Sequence, residues 1–137
     1  MRLRHASGCL VALHFVSPML ILIAHGSRDP RWRAALEQLT ESLQAEVGRD
    51  AVRLAYMDLT PPTLLDVVAE AVRLGSREIR VLPLFLTEEG HVERNILPLV
   101  DRVRQAHPSA YVEILPAVGR LPQFRNLLRD IALRKAR

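Results

Sequence analysis

Cysteine is almost absent from this 137-residue chain, and Cys9 stands alone. No intramolecular disulfide can form, which excludes a disulfide-built secreted scaffold and fits a reducing cytosol. Aromatic residues make up only 4%. Stacking platforms for single-stranded nucleic acid are therefore few, and no block of basic residues reads as a duplex-binding arm. No apolar run approaches the ~20 residues that a bilayer span needs. Nucleotide signatures are missing too: no G-x-G-x-x-G follows the first apolar run, and there is no Walker A loop. G-x-S-x-G is absent, and Ser27 falls too early in its turn for a nucleophile elbow. Without an internal repeat, a low-complexity stretch or a long linker, one domain is expected.

What is present is an ordinary globular balance, 49% apolar and 25% charged. The 19 Lys and Arg outnumber the 15 Asp and Glu. Neither nucleic acid nor membrane is expected as the partner. The excess reads as arginines on solvated helix faces, with a small polyanionic ligand as the sharper alternative. Residues 1–18, "MRLRHASGCLVALHFVSP", have a basic start and a short apolar run. His14 interrupts that run and no small-x-small cleavage site follows, so a signal peptide is poorly supported. They are expected to be a poorly ordered extension from an over-extended start, with the domain spanning 19–137.

From Met19, strand and helix patterns alternate. "MLILIA" is continuously apolar, as in a strand covered on both faces. Asp29-Pro30 supplies a cap and a first-turn proline, and Trp32, Leu36, Leu39, Leu43 and Val47 predict one apolar helix face ending at Gly48. "AVRLAYM" alternates like an edge strand. Thr60-Pro61-Pro62 predicts the start of a helix that buries Leu64, Leu65, Val68 and Val72. "EIRVLPLFL" reads as a central strand, with Pro83 near its end or beside a bulge. A loop from Thr87 to about Asn95 leads to a helix using Leu99, Val100, Val103 and Ala106. "AYVEIL" is the fourth strand, and Pro122 opens a last helix with Phe124, Leu127, Leu128 and Ile131 on one face. This β-α-β-α-β-α-β-α order predicts an α/β fold: a flavodoxin-like three-layer α/β/α sandwich on a four-stranded parallel sheet of order 2-1-3-4. Ligands in such sheets bind at the carboxyl ends of the strands beside the switch point, between strands one and three.

Three strands send chemistry to that rim. The first ends in His25-Gly26-Ser27, the second in Tyr56-Met57-Asp58, and the third in "TEEGHVERN" with Glu88, Glu89 and His91. Two imidazoles among carboxylates suit a borderline divalent metal, and the carboxylates can accept protons. Gly26 and Gly90 permit close backbone approach or positive φ. The same residues have plainer readings. A hydrogen-bonded loop histidine, a cap at Asp58, solvated charges at Glu88 and Glu89, and a turn serine at Ser27 are each ordinary. Chemistry alone reaches a metal or anion site.

"LIAHGSRDPR", "YMDLTPPTL" and "VLPLFLTEEGHVERNI", with their spacing, resemble the small sirohydrochlorin chelatases of the CbiX type. The likeness runs from Met19 to the last helix. It implies insertion of cobalt or ferrous iron, with nickel in one branch, into a polycarboxylate tetrapyrrole. The metal is then a co-substrate, with no permanently bound cofactor. By resemblance His25 and His91 handle the metal, and Asp58 matches a position where relatives often carry glutamate. Asp58, with Glu89 as second choice, is expected to accept protons or help hold the ion. Ser27, Arg28, Gly90 and Arg94 are the expected contacts to the tetrapyrrole. A cytoplasmic homodimer is expected, because the chain is half the length of the two-domain chelatases. Two departures stand out: the family usually has glutamate where Asp58 stands, and aspartate where Asn95 stands. A non-catalytic carrier of metal or tetrapyrrole is the alternative reading.

Overall fold

The computed structural model describes residues 18–87, 90 and 92–137. Its elements are β1 (Met19–Ala24), α1 (Pro30–Val47), β2 (Val52–Tyr56), α2 (Leu64–Arg73), β3 (Glu78–Pro83), a π-helical turn (Val92–Ile96), α3 (Leu97–Ala106), β4 (Tyr111–Ile114), a 3-10 turn (Val118–Arg120) and α4 (Pro122–Lys135). The four strands pair in parallel in the order β2-β1-β3-β4. This is the expected topology, with β1 and β3 at the centre. The expectation for the extension falls, up to residue 17, outside the described residues.

Alternation along the strands divides the core between two faces. Met19, Ile21 and Ile23 of β1 join Ile79, Val81 and Val112 under Leu64, Val67 and Val68 of α2 and Val100 and Val103 of α3. Leu22 turns the other way and meets Val52, Leu54 and Tyr56 beneath Leu36 and Leu43 of α1. Each fully buried Ile or Leu contributes roughly 1.5–3 kcal/mol relative to exposure. Pro83 closes β3, where its missing N–H interrupts little of the ladder.

Three expectations need correction. The α1 stripe does not all face the core: Trp32 is 78% and Leu39 48% exposed, and Val47 is exposed as well. Polar anchors set the rotation of the helix instead. Gln44 Nε2 donates to Val52 O (2.8 Å), and the Tyr56 hydroxyl donates to Glu37 (3.0 Å). Helix α2 starts at Leu64, later than Thr60, because each proline keeps the residue before it out of helical backbone. Thr63 caps it in a reciprocal box with Asp66, and Val67 and Ala71 are buried where Leu65 is exposed. Helix α4 does present Leu127, Leu128 and Ile131 on one face, but none of its residues is buried.

Candidate active site

The ladder between β1 and β2 ends with Ala24 opposite Tyr56, and Met57 N–H still donates to Ala24 O (2.8 Å). The next residues of each strand are therefore delivered side by side at the carboxyl edge. Asp58 places Oδ2 3.5 Å from His25 Nδ1, while its Oδ1 accepts the Gly26 N–H at 3.0 Å. The two turns are in backbone contact: a Cβ on Gly26 would lie 2.0 Å from the Asp58 carbonyl oxygen. Leu59, directly after Asp58, takes a left-handed backbone with φ of +63°. That conformation costs a non-glycine residue about 1–2 kcal/mol, and such strain persists where surrounding contacts over-determine the turn. The segment that follows β3 supplies Phe85, whose ring meets His25 edge-on at 5.2 Å and 61°. His25 and Asp58 are each about half exposed, so a ligand can reach both.

Behind this pair lies a polar buttress. Arg33 Nη1 donates to Ser27 O (3.0 Å) and to Thr60 Oγ1 (2.8 Å), joining the His25 turn to the Asp58 turn. Arg33 Nε faces Glu37 at 3.4 Å, and buried Tyr56 donates to the same carboxylate oxygen. Burial and the Glu37 carboxylate push the Tyr56 phenol up to about 12, so it remains a donor at any working pH. Ser27 Oγ accepts from Asp29 N (3.1 Å), which makes Ser27 a turn-forming residue in this state. Asp29 caps α1, and hydrogen bonds from Arg31 hold its carboxyl below the usual carboxylate range.

Of the residues singled out in the sequence, His25, Gly26, Ser27 and Asp58 gather at one point of the rim. Gly90 adopts a positive φ of +77°, accepts from Arg94 N (2.9 Å) and lies beneath the Arg94 guanidinium. Arg28 and Arg94 are exposed. Glu88, Glu89 and His91 lie outside the described residues. Among the described residues no group of three or more His, Cys, Asp or Glu side chains could hold a metal. The sequence reading missed Arg33, Glu37, Tyr56, Thr60 and Phe85. The available signal was the Arg33–Glu37 spacing of four on a helix, one turn behind the HGSR stretch.

The sequence model of the CbiX family matches residues 19–134, nearly everything after the extension. The chain belongs to the CbiX family. Its sequence is 30% identical over 77 residues to the sirohydrochlorin cobaltochelatase of Methanococcus maripaludis, covering 56% of this chain and 54% of that one. With the chloroplastic sirohydrochlorin ferrochelatase of Arabidopsis thaliana it shares 26% over 113 residues, covering 82% and 48%. The chain thus spans about half the length of the curated relatives it matches. In three dimensions it resembles a CbiX protein from Marinobacter aquaeolei assigned to cobalamin biosynthesis. The TM-score is 0.74 at 28% identity, covering 88% of this chain and 95% of that one. The CbiX match therefore spans all four strands of the sheet.

Proposed function

We propose that this CbiX-family chain is a sirohydrochlorin chelatase, inserting divalent cobalt or ferrous iron into the tetrapyrrole, with nickel as a further candidate. The observation that carries the reading is the His25–Asp58 pair, brought to 3.5 Å at the carboxyl edge of two adjacent parallel strands in this family's fold. Relatives named cobaltochelatase and ferrochelatase support the two metals. The metal is a substrate that must leave with the product. Neutral imidazole suits such a role, because it holds a borderline ion without adding negative charge.

Insertion exchanges two pyrrole N–H protons for one M²⁺, so the site must bind the ion and take up protons. With Nδ1 of His25 facing Asp58 Oδ2 at 3.5 Å, Nε2 is the nitrogen assigned to the metal, an arrangement in which a carboxylate orients the ring. Asp58 is the first acceptor for a pyrrole proton, and the half-exposed setting lets that proton pass to water. His91 completes the metal path by family resemblance, and Glu89 is the second choice to Asp58 as proton acceptor. Ser27, Arg28, Gly90 and Arg94 receive the substrate's carboxylates, the arginines by charge-assisted hydrogen bonds. The N-terminus of α1 adds roughly 0.3–1 kcal/mol for an anion placed there.

A homodimer in the cytoplasm completes the reading. Its support is α4, which exposes Leu127, Leu128 and Ile131 and buries no residue of its own. An apolar helix face of this kind suits a self-complementary contact between two copies. Among the described residues no helix is long and apolar enough to cross a membrane.

The second reading, a carrier that binds without inserting, is favoured by one contact: Asp58 Oδ1 is already engaged by the Gly26 N–H. A spectroscopic insertion assay with sirohydrochlorin and Co²⁺, Fe²⁺ or Ni²⁺ decides. Metallation faster than the uncatalysed rate with at least one metal supports the chelatase. Binding of metal and tetrapyrrole without acceleration by any of the three leaves the carrier.

A further inference from the structure

We propose that Arg33 is the positioning residue of the metal-insertion site, holding the His25 turn and the Asp58 turn in register while both functional side chains change partners. The inference rests on the reading of this rim as the insertion site. Beside the His25–Asp58 pair itself, two side-chain links join the turns among the described residues. One runs from Gly26 N–H to Asp58 Oδ1 and uses the carboxylate itself. Any step in which Asp58 takes a proton or turns towards an ion weakens it. The other runs through a single Arg33 nitrogen, which donates to Ser27 O at 3.0 Å and Thr60 Oγ1 at 2.8 Å. That link touches neither His25 nor Asp58, so it persists through the reaction.

The chemistry of arginine suits the task. Its guanidinium stays charged throughout and presents several donors in a fixed fork. One arm serves the rim, while Nε faces Glu37 at 3.4 Å on the same helix. Glu37 is held in turn by the hydroxyl of fully buried Tyr56 at 3.0 Å. The side chain of Arg33 is only 21% exposed, so water competes weakly for these donors. The path thus runs from the end of β2, through α1, to both turns. Arg33 has a clear reason to be a cation here, yet it does not reach out to the solvent where a substrate carboxylate would meet it.

The test uses the full chain with Arg33→Gln, Arg33→Lys and Thr60→Val. Two measurements are made: steady-state Co²⁺ insertion into sirohydrochlorin, and hydrogen exchange at the Gly26 amide. In Arg33→Gln the Gly26 amide exchanges at least ~10-fold faster, since a tenfold rate corresponds to one lost hydrogen bond of about 1.4 kcal/mol. The same variant lowers kcat about tenfold with KM for sirohydrochlorin within about twofold, since a misplaced constellation loses turnover before affinity. Arg33→Lys, which keeps the charge and a donor but loses the fork, recovers part of kcat. If Arg33→Gln does not fold, Thr60→Val removes one Arg33 acceptor, together with the long hydroxyl donation to Pro61 O (3.4 Å), and gives the same pattern at about threefold. A KM that rises at constant kcat overturns the proposal and makes Arg33 a substrate contact. Unchanged Gly26 exchange overturns it as well. If the wild-type chain inserts no metal, the chelatase reading fails. Gly26 exchange together with Co²⁺ affinity, expected to fall in Arg33→Gln, still decides the role of Arg33.

Discussion

Replacing Gly26 by alanine tests the backbone contact on which the site depends. A Cβ built there lies 2.0 Å from the Asp58 carbonyl oxygen, 3.0 Å from the Thr60 methyl and 3.2 Å from the Asp58 carbonyl carbon. The Thr60 side chain can turn away only by giving up its hydrogen bond from Arg33, and the Asp58 carbonyl belongs to a turn already held by Leu59 in a left-handed conformation. Non-bonded carbon–oxygen contacts are tolerable only beyond about 3 Å, so the turns must part by roughly 1 Å. Over-packing of this kind costs about 1–3 kcal/mol, and for a domain of this size each kcal/mol lowers Tm by roughly 4 °C. The catalytic cost is larger in proportion, because a 1 Å misplacement of reacting groups can lose about 10²-fold in rate. A thermal melt and the insertion assay, run on the same preparation, separate the two. Gly26→Ala should melt some 4–12 °C below wild type and retain about a hundredth of its kcat. A variant with wild-type Tm and a rate within threefold would refute the claim that this contact sets the distance between His25 and Asp58.

His25→Ala should lower metal insertion at least ~10-fold, about 1.4 kcal/mol of barrier, with an unchanged circular dichroism spectrum because the ring lies half exposed at a strand end. Asp58→Asn should damage turnover more than Co²⁺ affinity, read by comparing kcat with a metal titration, since it keeps an oxygen and loses the proton acceptor. Tyr56 has its phenol raised from 10.0 to about 12 in the fold, so its contribution is complete below pH 10 and is lost as pH rises towards 12. Denaturant midpoints at pH 9 and pH 11 should therefore fall less in Tyr56→Phe than in wild type. Sedimentation should give twice the chain mass for wild type, and a smaller species for Leu128→Glu, which charges the exposed face of α4.

Much of this fold was legible because its strands are extreme. "MLILIA" has no polar residue and is short, the pattern of a strand covered on both sides, and the alternation of elements then pointed to the topology. The rim was legible for a related reason. Parallel strands all end on one edge, so His25 and Asp58 had to meet there once both were placed after strands. What escaped was anything that depends on helix rotation. Periodicity put Trp32 and Leu39 inwards, while contacts from Gln44 and Glu37 to the sheet turned α1 so that both face solvent. Those contacts join residues 8 and 19 positions apart, and no local window shows them. The Arg33 link was hidden in the same way, since its partner Thr60 is 27 residues distant. The start of α2 was misplaced because two prolines suggested a first helical turn, whereas their effect on preceding residues postponed it to Leu64.

The close approach at Gly26 has a counterpart across the sheet. A Cβ on Gly119 would lie 1.7 Å from the Leu86 carbonyl oxygen, and Gly119 N–H donates to Phe85 O at 2.8 Å. The geometry of the rim is thus partly specified by two positions that carry no side chain. Anyone transplanting the site to another doubly wound scaffold would move the donors, His25 and Asp58, and leave their separation behind. A graft that includes both glycines with the carbonyls they rest on would carry the ruler as well as the tools.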